Sequence, residues 1–288
     1  MFIHSKRYHF GESATEVPMS IPRYRAADFS RDIWESHYGR NFPFVLQLEA
    51  DSLPCLSWTA ENLSELAGEE RFVLYEMQAD KVSATRNDMI IHRLKMREIS
   101  EILSSCGESN RYQMVTDIRS LPAFYDQAPL TKNFFPEIHP GIIQCNMWLN
   151  LGRFVSGLHY DCLENLNLQV RGTKRFVLYE PGIRNYYARG IFTAKGHTSD
   201  IFDPDDYDED RFRDFALLNG RRHDVVLNSG EMLYLPLSWW HNVISSGDVN
   251  INLNYWWINV GKSVTRYPRQ FLSGIVTVLY RKMADRLY

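Results

Sequence analysis

The chain has 288 residues, of which 44% are hydrophobic and 14% aromatic, enough for one large domain with a substantial core. Its formal net charge of −3 does not favour non-specific electrostatic binding to nucleic acid, although a local basic patch would be compatible with this average. The four cysteines lie scattered without a Cys-x-x-Cys pair. This pattern predicts a reduced, intracellular protein.

Two segments bear on targeting. Residues 1–17 lack the apolar core of a signal peptide. The apolar stretch at 271–280 is far too short to span a bilayer. We therefore expect a soluble, cytoplasmic protein with no membrane partner, folded as a single domain over residues 1–288.

The first 130 residues predict a mixture of strands and helices. Strands are expected at FPFVLQL (42–48) and RFVLYEM (71–77), and helices at TAENLSELAG (59–68) and MREISEILSS (96–105). Thr59 is the expected N-cap of the first helix, and Gly68 marks its end.

From about residue 142 the pattern becomes strongly β. Strand segments are expected at 143–151, 165–170, 174–181, 223–236 and 242–257. Many short strands joined by Gly, Asn, Asp and Pro turns predict a jelly-roll or cupin barrel, with its core at about 110–260. The tail at 268–288 predicts an amphipathic helix with one apolar stripe, formed by Leu272, Ile275, Leu279 and Met283.

Amides recur at every second position in three of these strands. In VNINLNYWW (249–257), Asn250, Asn252 and Asn254 share one side, and the segments 143–151 and 165–170 repeat the pattern. Asn is a poor strand former, so this alternation needs a reason. Either three strands each carry an ordinary solvated face, or their amides converge to line a polar cavity inside the barrel.

A possible metal site begins in LHYDCLEN (158–165). His159 and Asp161 are two residues apart, so on an extended segment both point to the same side. His241, which follows the apolar run GEMLYLPLSWW at the end of a predicted strand, can supply a second imidazole. Two His and one carboxylate with open coordination positions are the ligand set of non-haem Fe(II) oxygenases. The alternatives are that His159 is an ordinary core or surface histidine and that His241 is a packed histidine hydrogen-bonded to the backbone.

Lys174 is the next unusual residue, because it shares the apolar side of its strand with Phe176. An inward-pointing ammonium is costly unless it is paired, and a bound anionic cosubstrate would pair it. The alternative is a side chain that reaches the solvent at the rim. Ser156, Asn165 and, more distantly, Tyr112 are candidate donors to the carboxylates of such a ligand.

The segments 156–181, 202–212 and 229–257 resemble the Jumonji C oxygenases, through the motifs HYD, GTKR, GE-LYLP-WWHNV and LNYWW. The likeness is to the small hydroxylase branch that contains the factor-inhibiting-HIF asparaginyl hydroxylase and the tRNA wybutosine hydroxylase. It implies a reaction in which 2-oxoglutarate and O2 are consumed, succinate and CO2 are released, and a hydroxyl group is added to the substrate.

The resemblance also implies roles for individual residues. The Fe(II) ligands would be His159, Asp161 and His241. The 2-oxoglutarate contacts would come from Lys174 on the distal carboxylate, Ser156 on the same carboxylate, Tyr112 as an assisting group, Asn165 and Asn254 near the iron, and Trp256 as a wall of the pocket. Asn167 departs from the family pattern, because relatives tend to be apolar at that position.

The substrate is left open by these motifs. Hydroxylation of a protein or peptide side chain is the first hypothesis, and the absence of reader domains and zinc-finger Cys/His sets from the sequence favours a small hydroxylase over a chromatin demethylase. A modified RNA nucleoside is the first alternative, supported only by a modest basic cluster, which comprises Arg171, Lys174, Arg175, Arg184 and Arg189. Lysine demethylation is the third hypothesis. A metal-binding cupin without catalytic activity is the fourth, and it is disfavoured because the metal triplet, Lys174 and Ser156 are all present.

Two further expectations concern single segments. The acidic stretch 203–210 lacks the Gly and Glu of a calcium-binding EF-hand loop, so we interpret it as a structural connection. The helix at 268–288 is expected to mediate a homodimer, as the resemblance implies, with packing on its own barrel as the alternative.

Overall fold

The computed structural model describes residues 20–78, 89–105, 110–182, 184–190 and 195–284. Within these ranges the strands are β1 (Arg23–Arg25), β2 (Phe44–Gln47), β3 (Arg71–Gln78), β4 (Ile90–Lys95), β5 (Asn110–Asp117), β6 (Ile142–Leu151), β7 (Phe154–Tyr160), β8 (Glu164–Tyr179), β9 (His223–Leu227), β10 (Glu231–Leu235) and β11 (Trp240–Trp257). The helices are α1 (Arg31–Arg40), α2 (Ala60–Ala67), α3 (Met96–Ser105), α4 (Pro122–Tyr125), α5 (Leu130–Phe134), α6 (Phe215–Asn219), α7 (Val260–Arg266) and α8 (Pro268–Ala284).

Two long strands, β8 and β11, create the barrel because each belongs to two sheets. The N-terminal half of β8 and the C-terminal half of β11 belong to the larger sheet, whose order is β1-β2-β10-β8-β11-β6-β5-β3-β4. Their other halves pair with β9 and β7 and build a smaller sheet, β9-β8-β11-β7. The register between the two long strands shifts between Ser246 and Ile251, where both strands pass from one sheet to the other. This is the predicted jelly-roll architecture.

Gly172 permits the bend in β8. Its φ of +74° lies in the left-handed region, and a Cβ there would come within 2.9 Å of the Val249 carbonyl oxygen. The predicted strands 165–170 and 174–181 are therefore one continuous strand that turns a corner at this glycine.

Alternation along the strands separates the main core from the barrel interior. Leu149, Leu168 and Leu253 are fully buried in the main cluster, which also contains Leu63 of α2 and Ile99 of α3. The amides between these leucines face the other side of the larger sheet. The helices predicted at 59–68 and 96–105 thus cover the outer face of the sheet, and the Thr59 hydroxyl caps α2 by accepting from the Asn62 amide at 3.2 Å.

Two strand predictions were wrong in detail. Residues 223–236 form two strands, β9 and β10, joined by a turn in which Gly230 has a φ of +83°. His241 does not end the strand that follows this glycine. It is the second residue of β11, after a further turn in which Ser238 has a φ of 66°.

A buried ion pair joins α7 to the barrel. Lys262 Nζ lies 2.6 Å from Glu164 Oε1, and their side chains are 8% and 0% exposed. The Tyr234 hydroxyl and the Leu237 amide both donate to the other carboxylate oxygen, at 2.8 and 3.1 Å. These contacts anchor α7, which directly precedes α8, to the barrel.

The following helix, α8, packs its polar side on the barrel. Ser273 and Thr277 are buried, while Leu272, Ile275 and Leu279 are 41%, 42% and 55% exposed. These three members of the predicted apolar stripe therefore face outward, and the side chain of the fourth, Met283, lies outside the described part of the chain. Among the described residues no helix is long and apolar enough to cross a membrane.

Candidate metal and cosubstrate site

His159, Asp161 and His241 meet at one point of the barrel. His159 on β7 and His241 on β11 are directly paired in register, and their ring centroids are 4.2 Å apart. Asp161 follows β7, and its Oδ2 lies 3.8 Å from His241 Nε2. One ligand atom from each residue falls within 4.8 Å of the others. The predicted triplet is thus assembled from two strands that are distant in sequence.

Backbone carbonyls set the tautomer of both histidines. His159 Nδ1 lies 2.7 Å from the Gly157 oxygen, and His241 Nδ1 lies 2.9 Å from the Trp239 oxygen. A carbonyl oxygen only accepts, so each Nδ1 donates and each Nε2 keeps its lone pair for a metal. Burial lowers the pKa of His241 well below its ordinary value, so that this imidazole is neutral at pH 7. Two imidazoles that present Nε2 to one point, together with a carboxylate, fit Fe(II).

A cavity of about 1120 Å³ opens beside this triplet, between the two sheets. Its lining includes the three candidate ligands and most of the other predicted site residues, namely Ser156, Asn165, Lys174, Asn254 and Trp256. It also includes further amides from the alternating strands, namely Asn146, Asn150 and Asn167. These five amides therefore converge on a polar cavity. Asn250 and Asn252 do not line it: both are buried and hydrogen-bond to Gln169 and to backbone carbonyls.

Hydrogen bonds between neighbouring strands connect the amide side chains that line the cavity. Asn254 donates to Asn167 Oδ1 and, at 3.3 Å, to Asn165 Oδ1. Both Asn167 Nδ2 and Trp256 Nε1 are buried without a hydrogen-bond partner among the described residues. Buried polar atoms of this kind indicate a bound ligand or ordered water in the cavity.

Lys174 lies inside the cavity and is 6% exposed. Among the described residues no carboxylate lies within ion-pair distance of it, and the Trp148 ring centroid is 5.9 Å from its Nζ. Burial lowers the pKa of Lys174 to about 7. A desolvated ammonium without a partner is costly, so this end of the cavity fits the carboxylate of a ligand.

Tyr112 is the one predicted site residue that lies elsewhere. On β5, Gln113 and Val115 line the cavity, while Tyr112 and Met114 belong to the main core on the opposite face. The Tyr112 hydroxyl lies 3.3 Å from Glu76 Oε1. The expectation that Tyr112 assists 2-oxoglutarate binding is wrong, because strand alternation turns its side chain away from the cavity.

Sequence reasoning missed Ser245, which lines the cavity and lies directly opposite Lys174 in the pairing of β11 with β8. Only the pairing of two strands more than 60 residues apart reveals this neighbour. The acidic stretch 203–210 is structural, as expected: Asp205 forms ion pairs with Arg175 and with Arg222.

A jelly-roll barrel that holds two histidines and one carboxylate beside a buried lysine has the fold and site of a 2-oxoglutarate-dependent oxygenase. The model of the cupin-like domain matches residues 30–263 of the chain, and the chain belongs to this family. It is a 2-oxoglutarate-dependent oxygenase of the Jumonji C type.

The named relatives include tRNA wybutosine-synthesizing proteins and JmjC domain proteins, among them lysine-specific demethylases. The tRNA wybutosine-synthesizing protein 5 of Homo sapiens is 27% identical over 267 residues, which cover 82% of this chain and 78% of the human protein. The JmjC domain-containing protein C of Dictyostelium discoideum is 29% identical over 153 residues, which cover 49% of this chain and 36% of that protein. The lysine-specific demethylase JMJ30 of Arabidopsis thaliana is 32% identical over 118 residues, 41% of this chain and 27% of the plant protein.

Proposed function

We propose that the protein is an Fe(II)-dependent hydroxylase that adds oxygen to a side chain of a protein or peptide. In this assignment His159, Asp161 and His241 hold the metal, and Lys174 and Ser156 bind the distal carboxylate of 2-oxoglutarate. Asn165, Asn254 and Trp256 line the metal side of the cavity. With metal bound, oxidative decarboxylation of 2-oxoglutarate to succinate and CO2 is coupled to transfer of one oxygen atom of O2 into a substrate C–H bond.

The protein residues have three physical tasks. The carbonyls of Gly157 and Trp239 orient the two imidazoles before metal arrives. The buried Lys174 fixes the cosubstrate at one end. The walls of the cavity exclude bulk water from the reacting centre.

The chemistry of the cavity mouth supports a protein or peptide substrate. Apolar side chains of Ile143, Ile258, Ile275, Val278 and Leu279 line the cavity and are 42–55% exposed, so they form its rim. Among the described lining residues the only lysine or arginine is Lys174, which lies inside the cavity. A rim of aliphatic groups suits a peptide with apolar side chains better than a phosphate backbone.

Two of the five members of the basic cluster noted in the sequence form ion pairs within the protein. Arg175 pairs with Asp205 and Asp224, and Arg189 pairs with Asp200 at 2.9 Å. Intramolecular pairs of this kind leave less positive charge for phosphate binding.

A modified tRNA nucleoside is the second candidate substrate. It is favoured by the similarity to the tRNA wybutosine-synthesizing protein 5, which extends over 82% of this chain. Tight tRNA binding that weakens steeply as salt is raised would favour this alternative. Lysine demethylation is the third candidate: the lysine-specific demethylase 8 of Xenopus tropicalis is 24% identical over 75% of this chain but 48% of that protein, against 82% and 78% for the human wybutosine-synthesizing protein.

Turnover is tested by succinate release with Fe(II), 2-oxoglutarate and O2. We expect His159→Ala to abolish release and His139→Ala, at a histidine bonded to Thr131 away from the cavity, to retain it. Mass spectrometry of co-purified proteins and of tRNA then identifies which one gains an oxygen atom. Loss of a methyl group from a protein would instead indicate demethylation, and succinate release by His159→Ala would reject the assignment.

We also propose that α8 mediates a homodimer in the cytoplasm. Leu272, which is 41% exposed on α8 and lies outside the cavity lining, supports an apolar partner surface. Light scattering should give a halved mass for Leu272→Glu. The same change at Leu217, which is 72% exposed on α6, should leave the mass unchanged. A monomeric wild-type chain would exclude the dimer.

A further inference from the structure

Ser245 and Asn150 face Lys174 at one end of the cavity. Ser245 is the register partner of Lys174, and side chains directly opposite each other in an antiparallel pair lie on the same face about 5 Å apart. Asn150 reaches this position from β6, where its Nδ2 donates to Ser245 Oγ at 3.1 Å. All three side chains line the cavity, and Ser245 and Asn150 are 2% and 3% exposed.

The bond from Asn150 determines where the Ser245 hydroxyl can donate. One lone pair of Ser245 Oγ is occupied by the amide, so the hydroxyl hydrogen points away from Asn150. Among the described residues this hydrogen has no acceptor. Asn150 Oδ1 is likewise buried without a partner among them. Together with the unpaired ammonium of Lys174, these atoms form a polar pocket that the described protein groups do not satisfy.

We propose that Ser245 binds the distal carboxylate of 2-oxoglutarate together with Lys174, and that Asn150 is a positioning residue that orients the Ser245 hydroxyl. One carboxylate oxygen accepts from the ammonium and the other from the Ser245 hydroxyl, beside the contact proposed for Ser156, and these bonds are strengthened by charge. Ser245 thus supplies the hydroxyl that was expected from Tyr112, which faces the main core instead. This inference rests on the proposed function.

The separation between this pocket and the metal ligands suits the cosubstrate. Ser245 follows His241 by four residues on β11, and four extended residues span about 13 Å. That span leaves room for a five-carbon dicarboxylate that chelates the metal at one end and reaches Lys174 at the other.

The test is a binding measurement rather than turnover. Calorimetry with Mn(II) in place of Fe(II) gives the affinity of each variant for 2-oxoglutarate and for 2-oxopentanoate, a keto acid of the same length without the distal carboxylate. We expect Ser245→Ala to weaken 2-oxoglutarate binding on the order of ten-fold or more and to leave 2-oxopentanoate binding unchanged. Ser246→Ala is the matched control, because Ser246 is the next residue on β11 and is exposed.

Two more variants separate the hydroxyl from packing. Ser245→Thr keeps the hydroxyl and should retain most of the affinity for 2-oxoglutarate, whereas Asn150→Leu removes the orienting donor and should weaken it. The inference is overturned if Ser245→Ala binds 2-oxoglutarate as wild type does, or loses affinity for both keto acids equally. If the wild type binds no 2-oxoglutarate at all, the proposed function itself fails.

Discussion

Lys174→Met should stabilise the protein when no cosubstrate is bound. The substitution keeps the length of the side chain and removes an ammonium that is 6% exposed and, among the described residues, has no carboxylate partner. Replacing an unpaired buried charge by an apolar group of similar volume removes a desolvation penalty. The gain in stability is obtained at the expense of the group proposed to bind 2-oxoglutarate.

The size of the effect follows from the pKa of Lys174. Burial lowers this pKa from the ordinary 10.5 to about 7. At pH 7 the unfolded chain binds about half a proton more than the folded chain, and the penalty accumulated between pH 10.5 and pH 7 corresponds to about 4 kcal/mol of lost stability. Lys174 borders a cavity rather than close-packed core, so this figure is an upper limit. We expect a gain of about 1 to 4 kcal/mol in the free energy of unfolding.

The pH dependence has a definite sign. Between pH 7 and 10.5 the unfolded state holds the extra proton, so wild-type stability from this group rises with pH in that window. Below pH 7 both states are protonated and the penalty is complete. The advantage of Lys174→Met should therefore be largest below pH 7 and shrink towards pH 10.

Chemical denaturation of the metal-free protein at several pH values measures this difference. Lys262→Met is the matched control, because Lys262 is also buried but is paired with Glu164 at 2.6 Å. Removing one partner of a buried pair should cost about 3 to 5 kcal/mol, so the two lysine variants should change stability in opposite directions. A loss of stability in Lys174→Met at pH 6 would refute the view that this ammonium is unpaired and desolvated.

Two other predictions test the geometry of the barrel. Tyr112→Phe should leave the affinity for 2-oxoglutarate unchanged, because Tyr112 lies in the main core. A large loss of this affinity, measured by calorimetry, would show that Tyr112 does contact the cosubstrate. Gly274→Ala should lower the melting temperature, because its Cβ would come within 2.6 Å of Cys162 Sγ and push α8 off the barrel. Gly261→Ala, whose Cβ meets only Asn259 Oδ1 at 3.6 Å, is the control and should be neutral or stabilising.

Features with a local cause were predicted from the sequence. Alternation has a period of two residues, so the amide side of each strand was evident without knowing its neighbours. His159 and Asp161 lie two residues apart, and their common side followed from the same period. Resemblance to the Jumonji C family added His241 and Lys174, which local patterns alone left open.

Features that depend on pairing between distant strands were missed or mistaken. The short segment around Tyr112 did not reveal which of its sides would face the barrel. The role of Ser245 follows only from its register with Lys174. The buried ion pair joins Glu164 to Lys262, which lies 98 residues away in the sequence. The continuity of β8 required knowing that Gly172 turns a corner rather than ending a strand.

The central claim is that one ferrous ion sits among His159, Asp161 and His241, with the far end of 2-oxoglutarate on Lys174. Anomalous X-ray diffraction from crystals grown without oxygen, in the presence of Fe(II) and 2-oxoglutarate, tests it directly. We predict a single iron peak bonded to Nε2 of both histidines and to the Asp161 carboxylate, and density for the distal carboxylate at Lys174 Nζ. An iron peak elsewhere, or a cosubstrate carboxylate bound away from Lys174, would contradict it.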